Sequence, residues 1–292
     1  MKIYDRKGRE VIVDQSQNRF LKLLYSHFIG RCLLKILTLP FVTAIGGAYM
    51  KSSLSKRKIQ PFIIKNHIDM NDYIVEDFHS YNDFFTRHIQ EGKRIIAEEK
   101  DQLIAPADSK LTYYRIENDL HIKIKDSLYS LEDLLQNKSL AKQYVGGVCL
   151  IFRLTVDDYH RYCFIDDGTK EEDCYIPGIF HTVNPIANDY YPIYKQNSRS
   201  YSLLHTLHFD DVVMMEVGAM MVGKIVNHSI KDFSKGDEKG YFEFGGSTIV
   251  VLLKDIVDID KDIIENSSRN DETRVLMGEK IGVKKASVTK SV

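Results

Sequence analysis

The feature that most constrains the fold is a series of short β-type segments between about residue 102 and residue 254. These segments are rich in β-branched and aromatic residues and are separated by turns, a pattern typical of strands. The clearest are residues 111–116, 121–125, 211–217 and 249–253. The pattern predicts a mostly antiparallel β-core, with a short helix at residues 130–135 that Ser130 opens as N-cap.

The part of the chain before this core has a different character. Residues 17–98 predict mainly helix, and a chain of 292 residues is compatible with one β-rich domain. We therefore predict an α+β fold with a single catalytic domain, in which an N-terminal helical region (residues 1–98) packs on a β-rich catalytic region (residues 99–292). The charged stretch 258–274 is predicted to be a tail.

An apolar segment within the N-terminal region indicates contact with a membrane. Residues 32–50 carry one charge, Lys35, but Pro40 and the pair Gly46-Gly47 interrupt the segment, so a spanning helix is not expected. We predict instead that residues 20–50 lie in the headgroup layer while their cationic side chains, Lys22, Arg31 and Lys35, reach the phosphates. The alternative is a set of core-packing helices, and the pattern alone does not decide between the two.

Two glycines, Gly245 and Gly246, stand before Ser247 where a loop runs into a buried strand. Glycine has no Cβ to obstruct a nucleophile, so the Ser247 hydroxyl can attack the carbonyl of Gly246. The same residues also describe an ordinary turn before a core strand. A serine nucleophile needs a base that a third group orients, and His160 and Asp108 are the candidates for these two roles.

Six segments surround these residues, and their order along the chain is informative. They are YNDFFTR (81–87), PADS (106–109), DYHR (158–161), FHTVNP (180–185), VGAMMVG (217–223) and KGYFEFGGST (239–248). With this ordered set the chain resembles the phosphatidylserine decarboxylase family from about residue 78 onward, closest to the form found in clostridia and related bacteria. One departure is Cys163, which occupies a position where many members have a second histidine.

The resemblance implies cleavage between Gly246 and Ser247 into a large subunit (1–246) and a small subunit (247–292). Ser247 acts first as nucleophile and then becomes a pyruvoyl group, the implied cofactor, which binds the amine of phosphatidylserine as a Schiff base. His160 is the implied base and acid, and Asp108 is implied to orient it.

The sequence gives weaker support for a role of several other residues in the site. The resemblance makes His181, Asn184 and Tyr159 candidates for the substrate pocket. His205 and His208 have a spacing that resembles a metal-ligand pair, but positions three apart on a strand face opposite sides. No third ligand is evident, so we expect no metal site.

Composition excludes some classes of protein. A formal net charge of −1 and a pI near 6.8 argue against nucleic acid as the main partner. No nucleotide-binding glycine pattern is present. Four cysteines, at positions 32, 149, 163 and 174, show no C-x-x-C spacing and no signal peptide precedes them, which predicts unpaired thiols in a reducing compartment. A bridge between Cys163 and Cys174 is the alternative.

The leading interpretation is a self-processing, pyruvoyl-dependent decarboxylase that converts phosphatidylserine to phosphatidylethanolamine. We expect peripheral attachment to the cytoplasmic side of the cell membrane, with the phospholipid, the membrane surface and the two subunits of one precursor as partners; a homodimer stays open. One alternative is the same chemistry on another amine-bearing carboxylate, either an ether-linked serine phospholipid or a soluble amino acid. A second alternative is a Ser–His–Asp hydrolase that never cleaves itself. A third is a membrane-surface lipid-binding module that has lost processing, which is considered because Cys163 replaces a second histidine.

Overall fold

A computed structural model describes residues 1–12, 27, 30, 40–75, 77–119, 121–124, 127–178, 193–218, 224–244 and 247–286. The predicted site residues Gly246, His181 and Asn184 lie outside these residues, as does much of the segment 20–50. The predicted contact of this segment with a headgroup layer therefore falls largely outside the described residues and stays a prediction.

The helices within the described residues are short. Helices α1 to α7 span Pro40–Lys51, Ile59–Asn66, Tyr81–Phe85, Leu131–Leu135, Lys138–Lys142, Ile193–Gln196 and Lys261–Ser268, and 3₁₀ segments span Ser53–Lys58 and Met70–Asp72. The predicted helix after Ser130 is α4, and Oγ of Ser130 accepts from the amide of Asp133 at 3.4 Å. Because a side-chain oxygen satisfies an amide that the first turn leaves free, this serine is the predicted N-cap.

The strands occupy the predicted part of the chain and extend beyond it. Strands β1 to β18 span Ile3–Tyr4, Gln102–Ile104, Ser109–Arg115, His121–Ile124, Ser127–Ser130, Val148–Leu154, Arg161–Cys163, Gly168–Lys170, Cys174–Ile176, Arg199–Thr206, Asp210–Val217, Ile225–Asn227, Asp232–Phe233, Glu238–Phe242, Ser247–Leu253, Val257–Ile259, Glu272–Val275 and Lys280–Lys284. The four segments singled out in the sequence coincide with β3, β4, β11 and β15 over residues 111–115, 121–124, 211–217 and 249–253, and over these residues their prediction as strands is confirmed.

One ten-stranded sheet dominates the fold. Its order is β1-β17-β3-β6-β15-β11-β10-β8-β13, with β9 also paired to β10. Every one of these pairings is antiparallel except that of β1 with β17. Smaller sheets have the orders β12-β14-β7, β16-β18-β2 and β4-β5. The α+β class and the mostly antiparallel core are therefore confirmed.

Strand β15 is central, and both of its faces are covered. Ile249, Val251 and Leu253 enter one hydrophobic core, whereas Val250 and Leu252 enter the other on the opposite face. Because successive side chains of a strand point to opposite faces, a strand buried on both faces needs a continuous apolar run. The run after Ser247 has this property, and it fixes the start of β15 in the interior.

A buried ion pair joins the ten-stranded sheet to the sheet β12-β14-β7. Nζ of Lys239 lies 2.7 Å from Oε1 of Glu216, and neither side chain is exposed. Asn227 donates to the other oxygen of Glu216 at 3.0 Å and accepts from the hydroxyl of Tyr162 at 2.9 Å. Since Glu216 is paired in register with Ile249, this network holds the two sheets together near the start of β15.

The charged stretch 258–274 is not a tail, so that prediction was wrong. It contains part of β16, helix α7 and part of β17, and β17 pairs with β3 in the main sheet. Ile263 of α7 is fully buried. Two of its carboxylates are paired with an arginine near the start of the chain, because Arg6 donates to Asp260 at 2.7 Å and to Asp262 at 2.6 Å.

Helices α1, α2 and α3 share a small apolar cluster of their own. Its buried members are Met50, Ile59, Tyr81, Phe84 and Phe85, and Phe244 packs against it. The cluster therefore brings the helical region against the residue that precedes the glycine pair. Across the described residues, no helix combines the length and the apolar character needed to cross a bilayer.

Candidate active site

Ser247 is the first residue of β15 and is held by the neighbouring strand β6. Its Cα is paired in register with Leu154, the last residue of β6. The side chain is fully buried, and its Oγ has no hydrogen-bond partner among the described residues. A buried hydroxyl is normally hydrogen-bonded, so an unpartnered one indicates a group that is kept for chemistry or for a ligand.

His160 lies in the segment that joins β6 to β7, six residues after Leu154, the partner of Ser247. Its carbonyl oxygen accepts from the amide of Phe242 at 3.0 Å. The imidazole is fully buried, with Nδ1 facing the carbonyl oxygen of Asp158 at 3.0 Å. Because a carbonyl can only accept, Nδ1 carries the hydrogen and Nε2 keeps its lone pair. That Nε2 is buried and has no partner within the described part of the chain.

The surroundings of His160 keep it neutral. Burial lowers its pKa from 6.5 to about 3, and the positive charges of Arg87 and Lys110 act in the same direction, whereas the bond to the Asp158 carbonyl opposes the shift. The ring of Phe85 covers the imidazole, with 4.0 Å between centroids. A neutral imidazole with a free Nε2 is the form that a general base requires.

Two short stretches of chain connect Ser247 and His160 through residues that are paired with them. Leu154, opposite Ser247, is six residues before His160, and Phe242, bonded to His160, is five residues before Ser247. The structure shows no hydrogen bond between the Ser247 and His160 side chains. Their unmatched atoms are complementary, since one is a donor and the other an acceptor.

Asp108 is placed differently from the prediction. Its carboxylate accepts from Nε and Nη2 of Arg94 at 2.8 and 2.5 Å, and from the amide of Met277 at 2.8 Å. In the described residues Asp108 makes no hydrogen bond to His160, and the Asp158 carbonyl occupies the orienting position. The structure shows no hydrogen bond between these two side chains, and the predicted role of Asp108 in orienting His160 stays a prediction.

Tyr159 is buried and packs locally. Its hydroxyl accepts from the amide of Ile89 at 3.4 Å, and its ring lies 6.1 Å from that of Tyr73. Its contribution to a substrate pocket stays a prediction, as do those of His181 and Asn184, which lie outside the described residues.

Arg87, the last residue of the segment 81–87, is a further buried group of this region, and no role was predicted for it. Its guanidinium is 2% exposed and lies 4.1 Å from the ring centroid of Tyr73. Nη1 donates to the carbonyl of Phe84 at 3.3 Å, while Nε and Nη2 have no partner among the described residues. A buried cation with unused N–H groups can bind an anion, because an oxygen anion would satisfy both.

Asn82 was also missed. Its Oδ1 accepts from the amide of Phe244 at 2.9 Å, and the Phe244 ring packs edge-on against those of Tyr81 and Phe85, with centroids 5.0 and 5.3 Å away. Glu243, the residue before, forms an ion pair with Lys51 of α1 at 2.8 Å. The helical region therefore anchors the chain just ahead of the glycine pair.

His205 and His208 do not share a site. His205 bonds Asp211 at 2.7 Å and Glu171 at 3.1 Å, whereas Nδ1 of His208 bonds Asp166 at 2.8 Å. Cys163 and Cys174 are free thiols, the first buried and the second exposed. Burial raises the pKa of Cys163 to about 12, so this thiol is not an ionised substitute for a second histidine.

Comparison with known proteins places these residues in a family context. A family model described as phosphatidylserine decarboxylase matches residues 81–283. The phosphatidylserine decarboxylase proenzyme 2 of Clostridium acetobutylicum is 50% identical over 283 residues, covering 96% of this chain and 97% of that protein. The phosphatidylserine decarboxylase proenzyme of Clostridium novyi is 41% identical over 295 residues, covering 97% and 99%. That of Clostridium tetani is 41% identical over 292 residues, covering 97% and 98%. The resemblance drawn from the motifs is confirmed.

Proposed function

The chain belongs to the phosphatidylserine decarboxylase family, and from that premise we propose that it is a self-processing carboxy-lyase that converts phosphatidylserine to phosphatidylethanolamine. The observation that best supports the proposal is a pair of buried atoms, Oγ of Ser247 and Nε2 of His160, that have no partner among the residues the structure describes. Leaving such groups unpaired is unfavourable. The arrangement is reasonable where the groups have chemistry to perform.

The self-cleavage follows from these two atoms. Nε2 of His160 accepts the hydroxyl proton as Oγ of Ser247 attacks the carbonyl carbon of Gly246. The peptide C–N bond then breaks as its nitrogen takes a proton, which leaves the upstream chain attached to Oγ as an ester. Loss of the Cα proton of Ser247 breaks the Cβ–Oγ bond and releases the upstream chain as a carboxylate. The remaining dehydroalanine tautomerises to an imine, and water replaces its nitrogen, which departs as ammonia.

The residues around Ser247 suit the group that this sequence would leave. The pyruvoyl group supplies a ketone that takes up the substrate amine and draws electrons from the bond to the departing carboxylate. Pairing with Leu154 of β6 keeps residue 247 in place after the upstream chain is released. Neutral His160 takes up a proton in the first reaction and can return one to the substrate carbon in the second.

The substrate brings two anionic groups, a carboxylate and a phosphodiester, and Arg87 is suited to one of them. Its Nε and Nη2, which have no partner in the described part of the chain, can make a paired contact with two oxygens. The positive charge of Arg87 also contributes to the lowered pKa of His160. Tyr159, His181 and Asn184 complete the proposed pocket.

The enzyme acts at the surface of the cell membrane, on its cytoplasmic side, in this proposal. Three apolar side chains of the helical region, Ile45, Leu54 and Ile64, are 55%, 63% and 70% exposed. Basic residues at positions 56–58 lie between the last two. Apolar side chains next to cations are the composition of a surface that contacts anionic headgroups.

Intact mass of the purified protein tests the first half of the proposal. Wild type should yield fragments 1–246 and 247–292, and the smaller should resist Edman sequencing because a ketone replaces its amine. Ser247→Ala should remain one chain. Ser202→Ala, a substitution at another fully buried serine, should cleave like wild type. A single uncut wild-type chain would favour a hydrolase or a lipid-binding module, and a sequenceable serine would mean hydrolysis without a pyruvoyl group.

Release of carbon dioxide tests the second half. Diacyl phosphatidylserine, an ether-linked serine phospholipid and free amino acids should be compared at equal concentration. Release from diacyl phosphatidylserine alone, or fastest from it, is the expected result. Preference for a free amino acid would overturn the lipid assignment while leaving the processing chemistry intact.

A further inference from the structure

We propose that Lys110 is a positioning residue for self-cleavage: through an ion pair with Asp158 it fixes the tautomer of His160. The inference rests on the proposed function for its consequence but not for its geometry. Lys110 belongs to β3, and neither the motifs nor the chemistry above assign it a role.

The ion pair is close and buried. Nζ of Lys110 lies 2.8 Å from Oδ1 and 2.6 Å from Oδ2 of Asp158, and the side chains are 4% and 7% exposed. Nζ also donates to Oγ1 of Thr155. Lys110 reaches this turn because it is paired in register with Arg153 of β6, two residues before Thr155.

Asp158 in turn folds the segment that follows β6. Its Oδ2 accepts from the amide of Thr155 at 2.6 Å and from its hydroxyl at 2.9 Å, while the amide of Asp158 donates to the Thr155 carbonyl at 2.9 Å. These reciprocal bonds close a turn over residues 155–158. The turn sets the direction of the Asp158 carbonyl, which receives the hydrogen on Nδ1 of His160 at 3.0 Å.

The tautomer of His160 therefore depends on the positive charge of Lys110, which acts through Asp158. A buried carboxylate that loses its cation is strongly destabilised, so the turn would rearrange to reach water or another donor. If the Asp158 carbonyl moves, nothing favours the hydrogen on Nδ1 over Nε2. The second tautomer presents an N–H to Ser247 and cannot accept its proton.

The test reads the tautomer directly, in a chain that cannot cleave. In Ser247→Ala protein with ¹⁵N-labelled histidine, two-dimensional NMR distinguishes protonated from unprotonated ring nitrogens, and the further change His160→Gln identifies the signals. We expect an unprotonated Nε2 in the Ser247→Ala background and with Lys110→Arg, but not with Lys110→Met. Lys170→Met is the matched control, because Lys170 forms a comparable pair with Asp173 at 3.0 Å in another part of the sheet, and it should leave the signals unchanged.

The same substitutions in the cleavable chain give the functional readout. Lys110→Met should slow self-cleavage by at least about tenfold, and Lys170→Met should not. An unprotonated Nε2 in Lys110→Met protein would overturn the inference. A wild-type chain that never cleaves would overturn the proposed function instead, and the NMR result would still stand.

A double variant covers the case in which Lys110→Met fails to fold. Lys110→Met with Asp158→Asn removes both charges of the buried pair, and the amide oxygen can still accept from Thr155. Recovery of the unprotonated Nε2 in this variant supports action through Asp158. A folded double variant with the other tautomer would mean that Lys110 does not act through the turn.

Discussion

The amide of Phe244 donates to Oδ1 of Asn82 at 2.9 Å. This bond joins helix α3 to the residue that stands just before Gly245 and Gly246, and the Phe244 ring packs edge-on against the rings of Tyr81 and Phe85. Because two glycines restrict the backbone little, we expect the position of the carbonyl attacked in the proposed cleavage to depend on the anchors at each end of the pair. Asn82 supplies the upstream anchor, and the pairing of Ser247 with Leu154 supplies the downstream one.

Removing the upstream anchor should slow self-cleavage. Asn82→Leu leaves the Phe244 amide without its acceptor, a change that costs about 1–3 kcal/mol where the group is buried, and frees the loop to move. We expect uncut precursor to accumulate, with a rate reduced roughly tenfold, as measured by pulse labelling during cell-free synthesis.

Two controls belong to that experiment. Asn82→Asp keeps an oxygen acceptor and should cleave faster than Asn82→Leu. Asn66→Leu removes a similar side-chain bond, to the carbonyl of Phe62 at 2.9 Å, and should cleave like wild type. Equal rates for Asn82→Leu and Asn66→Leu would show that the Phe244 anchor does not limit processing.

Much of the fold could be predicted because it depends on local pattern. The apolar run after Ser247 indicated a buried strand, and Ser130 indicated a helix start, since both signals are contained within a few residues. The stretch 258–274 could not be recognised as part of the sheet, because its charges are matched by Arg6, from the opposite end of the chain. Charge density alone indicated a solvated tail.

The site was predicted less completely, for a related reason. Ser247 and His160 are recognisable from residue type and motif, but the partner of a carboxylate is decided by tertiary contacts. The carboxylate of Asp108 accepts hydrogen bonds from Arg94 and from the amide of Met277, which lies 169 residues later in the chain. Arg87 could not be expected in the interior, since arginine is almost never fully buried without a partner.

The buried state of His160 should make stability depend on pH. Its pKa is lowered from 6.5 to about 3 by folding, so between these values the unfolded chain binds a proton that the folded chain does not. The stabilisation is fully present above pH 6.5 and is lost as the pH falls toward 3. From pH 7 to pH 5 the free energy of unfolding should fall by up to roughly 2 kcal/mol from this group alone.

Urea unfolding in the uncut Ser247→Ala background measures this effect. The drop between pH 7 and pH 5 should be larger in Ser247→Ala than in Ser247→Ala with His160→Gln, because the second protein lacks the group. Carboxylates with lowered pKa, such as Asp255, contribute equally to both and cancel in the difference. An identical drop in the two proteins would mean that His160 is accessible to protons in the folded chain.

Asp108 should matter for processing even though it makes no hydrogen bond to His160 in this structure. Asp108→Ala leaves Arg94, with 9% side-chain exposure, without its main partner, and releases the Met277 amide. Loss of one partner from a buried pair is destabilising by about 3–5 kcal/mol. We expect uncut protein to accumulate together with a lower free energy of unfolding, measured by gel and by denaturation.

The double variant Asp108→Asn with Arg94→Met separates support from a direct role. It removes both charges and retains an acceptor for the Met277 amide, so stability should largely return. If cleavage returns with stability, Asp108 acts by holding the structure. If the chain is stable but uncut, Asp108 has a direct part in the reaction that its position in this structure does not display.

The last prediction is peripheral attachment through the helical region. The described part of that region exposes Leu54 and Ile64 beside Lys56 and Lys58, and burial of each methylene in lipid is worth about 0.8 kcal/mol. Attraction of the lysines to anionic headgroups adds to this and weakens with salt. The protein should therefore sediment with vesicles that contain anionic lipid, and high salt or carbonate should partly release it without detergent.

A pair of matched substitutions shows whether this surface is responsible. Ile64 and Leu207 are both 70% exposed, but Leu207 lies in the turn between β10 and β11, away from the helical region. Ile64→Asn should reduce sedimentation, because a polar side chain at that position gains nothing from lipid, whereas Leu207→Asn should not. Equal binding by both variants would place the contact elsewhere on the molecule. A wild-type protein that stays in the supernatant at low salt would make α1 and α2 packing elements, and extraction by detergent alone would require a spanning segment.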